Sequence, residues 1–277
     1  MEIEIREMGE TKGSFILKNS SPAIANALRR TMLTDIPKMA IDKVEFHLGP
    51  IMADDKEYES VTPLFDEIVA HRLGMVPVPT DHELFTFQEN CVCGGEGCPS
   101  CTIMYSINRM GPCTVLSGDM MPLGNSSLAV KDQFIPLVEL TGGQAVLIYA
   151  TAVMGTARKH AKWQAAFGVG YKYLPKVSID EKKASEPHVV KCASICPKGV
   201  FEVKNGKLKV KEMLSCNMCR ECEDVSGGAV SIGADDTNFF FRYETDGSLT
   251  AKQVLDKALE LLSKQSEEAF SRLGEDL

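Results

Sequence analysis

The spacing of apolar residues near the start of the chain predicts two short strands followed by a helix. Residues 2–18 alternate loosely between apolar and polar side chains, as half-buried strands do. Ser21 is placed as the N-cap of the helix that follows, and Pro37 ends it. Arg29 and Arg30 flank the apolar stripe of this helix, and the pattern alone allows them to be either solvated or part of an interface. The stripe itself recurs every four residues and consists of Ile24, Leu28 and Met32.

The middle of the chain mixes strand and helix patterns. Residues 39–49 alternate as a strand, and further strands are predicted within 102–154. A positive segment at 158–162 could be a solvated loop or a docking surface for an acidic partner or a nucleic-acid backbone. Residues 60–79 predict a helix whose apolar side carries Phe65, Ile68, Val69 and Leu73.

The end of the chain predicts a strand, a turn and a long helix. The strand and turn occupy 238–249, and the helix begins at Thr250, with Gln253 completing a capping box. Its apolar face, which includes Leu255 and Leu262, extends over about 23 residues or about 34 Å. So long an apolar face predicts that part of it packs against another subunit.

Composition and charge narrow the class of protein. The chain has 277 residues, which suggests about two domains, and its content of 44% apolar and 25% charged residues is that of a globular protein. A net charge of −8 argues against a protein whose main role is to grip nucleic acid. The opening lacks a secretory signal and no apolar run approaches about 18 residues, so we expect a cytoplasmic protein without a membrane segment.

Nine of the ten cysteines fall into two groups, at 91–101 and 192–222, and this grouping favours metal ligation over disulfides. Cys113 stands apart and is expected to be a small buried apolar residue. The first group has the spacing C-x-C-x4-C-x2-C, in which four thiolates can close around one structural zinc ion. An unmetallated loop is the alternative. The predicted zinc ligands are Cys91, Cys93, Cys98 and Cys101.

The second group has the spacing of an iron–sulfur site. Cys216, Cys219 and Cys222 follow the C-x2-C-x2-C pattern, and in two-cluster ferredoxins the fourth ligand of such a set comes from the other half, which here is Cys196. Three of the four positions for a second cluster lack a thiol, and Cys192 is left over. We therefore predict one [4Fe-4S] cluster, which could also be isolated as [3Fe-4S] after losing one iron.

Several segments together resemble the alpha-type subunits of multisubunit RNA polymerase. The first predicted helix contains NALRRTMLTDIP, and the end of the chain contains FRYETDGSLTAKQVLDKALELL, which resembles the strand, turn and helix that close the family's dimerisation domain. LFDEIVAHRLGMVPVP and TARKHAKWQAA resemble the archaeal and eukaryotic branch, and GPCTVLSGDM a strand that the family shares. The first cysteine group is similar to the eukaryotic zinc loop, with one more residue in its middle spacing. A cysteine-bearing, ferredoxin-like insertion resembles the D-type, third-largest subunits of archaeal polymerases in particular.

The resemblance implies an α+β fold with a discontinuous dimerisation domain. That domain would comprise residues 1–45, 165–185 and 233–277. A mostly-β domain at 46–164 would be inserted into it and carry the zinc loop, and a ferredoxin-like iron–sulfur domain would occupy 186–232.

The resemblance also implies a non-catalytic assembly subunit. Such a subunit pairs with subunit L and joins subunits N and P in a platform for the large catalytic subunits, with little direct contact to DNA. Arg29 and Arg30 would face the second-largest polypeptide of the polymerase, its large B-type subunit. Apolar residues would bury against subunit L, although packing in the chain's own core would give them the same spacing: Ile24, Leu28, Met32, Leu255 and Leu262.

Two other functions stay open at this level. A ferredoxin-like electron carrier or redox enzyme would suit the cysteines, but no glycine-rich nucleotide loop or flavin fingerprint accompanies them, and the second cluster is lost. A regulatory sensor, in which loss of the cluster weakens polymerase assembly, would combine the cluster with the assembly role.

Overall fold

The computed structural model describes residues 1–53 and 55–275, which divide into two compact units. Unit 1 consists of Met1–Glu7, Ser14–Ala27 and Gly170–Arg242. Unit 2 consists of Met8–Gly13, Leu28–Val169 and the described residues from Tyr243 onward. No helix among the described residues combines the length and the apolar character needed to cross a membrane.

The described chain contains both helices and strands, which confirms a mixed α and β fold. The helices are α1 (Pro22–Thr34), α2 (Asp66–Met75), α3 (Pro187–Val190), α4 (Cys192–Ile195), α5 (Glu221–Val225) and α6 (Ala251–Glu275). The strands are β1 (Glu2–Met8), β2 (Lys12–Lys18), β3 (Lys38–Phe46), β4 (Pro50–Ala53), β5 (Lys56–Glu59), β6 (Thr102–Met110), β7 (Cys113–Leu116), β8 (Met121–Pro122), β9 (Pro136–Leu140), β10 (Ala145–Gly155), β11 (Ala166–Ile179), β12 (Phe201–Lys204), β13 (Lys207–Val210) and β14 (Val230–Thr245).

Unit 1 is built on a sheet in which the strands have the order β1-β2-β14-β11. Aromatic rings fill one part of its core, where Phe15 stacks on Phe241 with ring centroids 4.8 Å apart and Tyr171 lies 5.1 Å from Phe241. The Asn205-Gly206 dipeptide predicts a hairpin turn, and this is confirmed: β12 and β13 pair as a hairpin that turns at these two residues, both with positive φ.

Unit 2 contains a second sheet, with strands in the order β3-β10-β6-β8, and two-stranded pairs β4-β5 and β7-β9. Val69 and Leu73 of α2 are buried in its apolar core, as predicted. The prediction that Phe65 and Ile68 lie on the same buried side is wrong, because their side chains are 78% and 41% exposed. The helix begins only at Asp66. Phe65 therefore precedes its first turn and does not lie on the side of the helix that packs against the core.

Strand lengths depart from the predicted boundaries. The polar stretch at 176–188 predicts a domain boundary, but β11 continues into it as far as Ile179. β14 runs without interruption from Val230, so the predicted limit between residues 232 and 233 falls inside a strand. Backbone hydrogen bonds extend strands through polar residues, which a hydrophobic pattern does not register.

The start of α6 is fixed by a capping box and by contacts to the beginning of the chain. The Thr250 amide donates to Gln253 Oε1 (2.9 Å) and the Gln253 amide donates to Thr250 Oγ1 (3.3 Å), so the predicted capping box is confirmed. Tyr243 Oη donates to Ala251 O (2.7 Å). A Cβ at Gly13 would lie 2.3 Å from the Tyr243 ring, so only glycine leaves room for this tyrosine.

A buried ion pair joins β3 to the turn before α6. Lys38 donates to the Asp246 carboxylate, and the two side chains are only 4% and 11% exposed. The same carboxylate accepts hydrogen bonds from the amide (3.0 Å) and hydroxyl (2.5 Å) of Ser248. Thr80 extends the network: its Oγ1 accepts from the Met39 amide (2.9 Å), and its amide donates to Ser248 O (3.1 Å). Three distant segments of unit 2 therefore meet at one polar network.

Substitution Asp246→Ala is expected to lower the free energy of unfolding by about 3–5 kcal/mol, because it leaves the Lys38 ammonium buried without a counter-charge. The matched control is Glu260→Ala, which removes the exposed partner of the half-buried Lys257 (2.9 Å) at the helix surface and should cost less than about 1 kcal/mol. Urea denaturation of the two variants and the parent chain measures both values. Equal costs for the two substitutions would contradict the role assigned to the buried pair.

Candidate metal centres

The first cysteine group closes into a compact tetrathiol site. Its four sulfurs lie within 4.8 Å of one another, and no other such group of ligands occurs within residues 1–53 and 55–275. The sulfurs of Cys91 and Cys98 are 3.5 Å apart, those of Cys93 and Cys101 3.7 Å, and those of Cys98 and Cys101 3.9 Å. Four sulfurs at about 2.3 Å from a tetrahedral zinc ion would stand about 3.8 Å apart, so the spacing suits an ion of that size.

The local sequence explains why this loop can close. Gln88 Nε2 donates to Gly95 O (2.9 Å), and the Cys98 amide donates to Cys101 Sγ (3.3 Å). The turn conformations between the ligands need residues without a Cβ. Glycines with positive φ supply them: Gly94 (68°), Gly95 (90°) and Gly97 (96°).

The thiols of this site differ in pKa. A backbone hydrogen bond from Gly97 lowers the pKa of Cys93 to about 6, while burial raises the pKa of Cys101 to about 12. At neutral pH a metal ion would therefore meet a thiolate at Cys93 but would have to displace a proton from Cys101. Four protein ligands leave no open coordination position, so the arrangement suits a structural ion rather than a catalytic one.

The second cysteine group is assembled from separate elements of unit 1. Cys192 begins α4, Cys196 follows it, Cys216 follows a short turn at Met213–Ser215, and Cys222 lies in α5. Cys216 and Cys222 are buried in a common apolar core with Cys192, and Cys196 packs against that core. Burial, followed by the charge of Cys192, raises the pKa of Cys222 to about 11. Three of the four predicted cluster ligands thus belong to or border one apolar core, and the ligand set itself stays a prediction.

The loop between Cys216 and Cys222 has a backbone suited to a bound anion. Met218 (φ 57°) and Arg220 (φ 64°) adopt left-handed conformations on either side of Cys219. Such residues turn successive N–H groups toward one side of a loop, a geometry found at phosphate and iron–sulfur sites. The Met218 amide donates to Cys216 Sγ (3.4 Å).

Cys219 and Cys192 occupy positions that the spacing did not anticipate. Cys219 is exposed, whereas Cys192, predicted to be left over, is fully buried and donates from Sγ to Cys222 O (3.5 Å). Burial raises the pKa of Cys192. The assignment of Cys219 as the fourth ligand stays a prediction. Cys113 is half-buried rather than fully buried and donates to Met110 O (3.3 Å).

The residues predicted for subunit interfaces divide by exposure. Leu28, Met32 and Leu255 are buried within the chain itself, so packing in its own core accounts for their apolar spacing. Leu262 is half-buried, and Ile24 is exposed at the surface of α1. Arg29 is half-buried and Arg30 is exposed. The far end of α6 presents two further side chains of the predicted apolar face, Phe270 (81% exposed) and Leu273 (66%).

The positive segment at 158–162 is largely occupied by contacts within unit 2. Arg158 donates to both carboxylate oxygens of Asp35 (2.5 and 3.0 Å). Lys162 donates to Asp42 (2.5 Å) and lies over the Trp163 ring, 4.3 Å from its centroid. These partners come from the end of α1 and from β3. The Arg158 side chain is nevertheless 63% exposed, so both alternatives stay predictions.

Two residues that support the cysteine groups carried no sequence signal. Gln88 fixes the first loop, and Lys172 of β11 donates from Nζ to Leu214 O and to Cys216 O (2.7 Å). Both side chains donate to backbone carbonyls. Every residue has such a carbonyl, so the sequence does not indicate which one accepts the hydrogen bond.

Comparison with known proteins identifies relatives across the whole chain. The protein-family model for the RNA polymerase Rpb3/Rpb11 dimerisation domain matches residues 14–266. The DNA-directed RNA polymerase subunit Rpo3 of Picrophilus torridus is 41% identical over 276 residues, covering 99% of both chains. The corresponding subunit of Thermoplasma volcanium is 43% identical over 263 residues (95% of both), and that of Methanosarcina acetivorans 35% over 279 residues (99% of both).

Adding Zn²⁺ to chelator-treated chain is expected to release protons, because Cys101 is protonated at neutral pH and must ionise to bind. Affinity should fall as the pH is lowered, with a further loss below about 6, where Cys93 also takes up a proton. Calorimetry in two buffers of different ionisation enthalpy measures the release. Cys101→Ser should abolish tight binding and Cys113→Ser should not. Proton-neutral binding would refute the assignment.

Proposed function

The chain belongs to the family of the RNA polymerase Rpb3/Rpb11 dimerisation domain, and we propose that it is a non-catalytic assembly subunit of a DNA-directed RNA polymerase. The observation that carries the proposal is the extent of the likeness: the family match spans 14–266, and relatives named as polymerase subunit Rpo3 align over nearly the full length of both chains. Nucleotidyl transfer then belongs to the large subunits, and this chain holds them in place. The extent of the likeness also disfavours a ferredoxin-like electron carrier.

The nearest partner of this chain would be a small subunit with its own dimerisation domain, subunit L. Support comes from α6, where Phe270 and Leu273 are exposed apolar side chains near the end of a helix of 25 residues. Ile24 offers a further exposed apolar contact on α1. Exposed apolar side chains of this size are typical anchors of subunit interfaces.

The remaining contacts would follow from the platform role. Arg30 is exposed, and with Arg29 it would face the large B-type subunit, while subunits N and P would join the same platform. A guanidinium can form two parallel hydrogen bonds to a carboxylate, which suits an arginine to a polar subunit contact. In this role the chain makes little direct contact with DNA, in keeping with its net charge of −8.

Both cysteine groups would stabilise the fold of the chain by binding metal. The first would hold one zinc ion through Cys91, Cys93, Cys98 and Cys101, and its sulfur spacing supports this. The second would hold one [4Fe-4S] cluster through Cys196, Cys216, Cys219 and Cys222, in a ferredoxin-like insertion. Metal ligation in small modules supplies part of the folding free energy, so both groups would stabilise the platform.

The iron–sulfur ligand set predicts different effects for two buried cysteines. Cys216→Ser is expected to remove iron from anaerobically purified chain, because it deletes a ligand. Cys192→Ser, the matched control in the same core, should leave the iron content unchanged. Iron analysis together with the visible charge-transfer absorbance measures the outcome. Full iron in the Cys216 variant would overturn the ligand set.

Substitution Phe270→Ala is expected to weaken pairing with subunit L by at least about 2 kcal/mol, roughly 30-fold in Kd, if the ring is an interface anchor. The side chain is exposed, so the fold of the chain itself should be unaffected. Lys264→Ala, an exposed change on the same helix, is the control. Titration of purified subunit L against each variant gives the Kd, and equal affinities for all three chains would argue against this surface.

A further inference from the structure

A cavity of about 560 Å³ lies in unit 1 beside the loop that carries Cys216. Its wall includes Lys172 of β11, Phe240 and Arg242 of β14, and Lys198 from the loop after α4. Ser215 and Asn217, on either side of Cys216, complete the polar part of the wall. We propose that this cavity binds a small phosphate-bearing molecule with at least two negative charges.

The charge of the cavity is the first argument. Three cationic side chains line it and no carboxylate does, although the chain as a whole carries a net charge of −8. Among the ion pairs of the described residues, none involves Lys172, Lys198 or Arg242. Converging cations repel one another, and a bound anion would reduce that repulsion.

The position of Lys172 is the second argument. Its ammonium group is half-buried and donates to Leu214 O and Cys216 O, so one of its three N–H bonds remains for a ligand. The group is therefore held in place before any ligand arrives.

The aromatic ring in the cavity narrows the class of ligand. Lys172 lies 5.7 Å and Arg242 4.9 Å from the centroid of Phe240, so cations already occupy the ring. The ring is thus poorly placed to stack on a nucleobase, and recognition rests on charge and on hydrogen bonds from Ser215 and Asn217. Lysine and arginine next to neutral polar groups are the usual binders of phosphate oxygens.

Size and overall charge favour a small molecule over a polymer. A cavity of this volume is within the range of small-molecule sites. The acidic surface of the remaining chain would oppose a nucleic-acid strand, which brings charge far beyond the cavity. Because Lys172 also holds the carbonyl of Cys216, ligand binding would stabilise the loop that bears the predicted cluster. The inference does not depend on the polymerase role.

The test uses the full chain, purified anaerobically with the metals it carries, and inorganic pyrophosphate as the probe. Calorimetric titration at constant ionic strength should show saturable binding that sulfate competes away. Lys198→Gln and Arg242→Gln change exposed side chains and should each weaken binding by at least about tenfold. Lys209→Gln, an exposed lysine outside the cavity, should leave the affinity unchanged.

Three outcomes would overturn the proposal. The first is absence of saturable pyrophosphate binding. The second is binding that is equal in the parent chain and in both cavity variants, which would indicate interaction with a metal or with the general surface. The third is binding of an oligoglutamate peptide that depends on Lys198 and Arg242 and exceeds that of pyrophosphate, which would assign the cavity to an acidic protein partner. None of these outcomes bears on pairing with subunit L, so the two proposals fail separately.

Discussion

The buried ion pair between Lys38 and Asp246 is the contact on which closure of unit 2 depends. It joins the start of β3 to the turn before α6 across 208 positions of sequence, and Ser248 donates to its carboxylate while Thr80 links Met39 to Ser248. Bringing segments so distant together costs conformational entropy, and a buried charge tolerates little displacement from its partner. The pair therefore favours one arrangement of β3 and α6 over neighbouring ones. An assembly subunit needs such rigidity, because its surfaces must be in place before its partners bind.

The two cysteine groups illustrate local and long-range assembly of a site. Residues 91–101 contain every ligand of the first group together with the glycines that turn the loop. The second group draws its thiols from α4, α5 and the loop between them, with the β12–β13 hairpin in the intervening sequence. Lys172, from a strand outside this segment, holds the Cys216 carbonyl in place. The second site consequently depends on the fold around it, whereas the first depends mainly on its own loop.

The distribution of charged residues along the sequence does not predict where positive charge accumulates in the folded chain. Two cations of the positive segment at 158–162 form ion pairs within the chain, Arg158 with Asp35 and Lys162 with Asp42. The cations of the cavity beside Cys216, Lys172, Lys198 and Arg242, span 70 positions and converge only through the sheet and the cysteine loop. Whether a cation is neutralised by a carboxylate or lies beside other cations depends on which residues the fold brings within a few ångströms of it, where Coulomb interactions become large.

Features with a local cause could be predicted from the residues alone. The capping box at Thr250, the hairpin turn at Asn205 and the zinc-type loop at 91–101 follow from residues a few positions apart, and family membership followed from motifs along the chain. Tertiary packing, in contrast, set which apolar side chains are core and which remain exposed. It buried Leu28, Met32 and Leu255, exposed Phe65 and Phe270, and placed Cys192 rather than Cys219 in the interior. Periodicity specifies the face of an element, but burial depends on what packs against that face, and that partner lies far away in sequence.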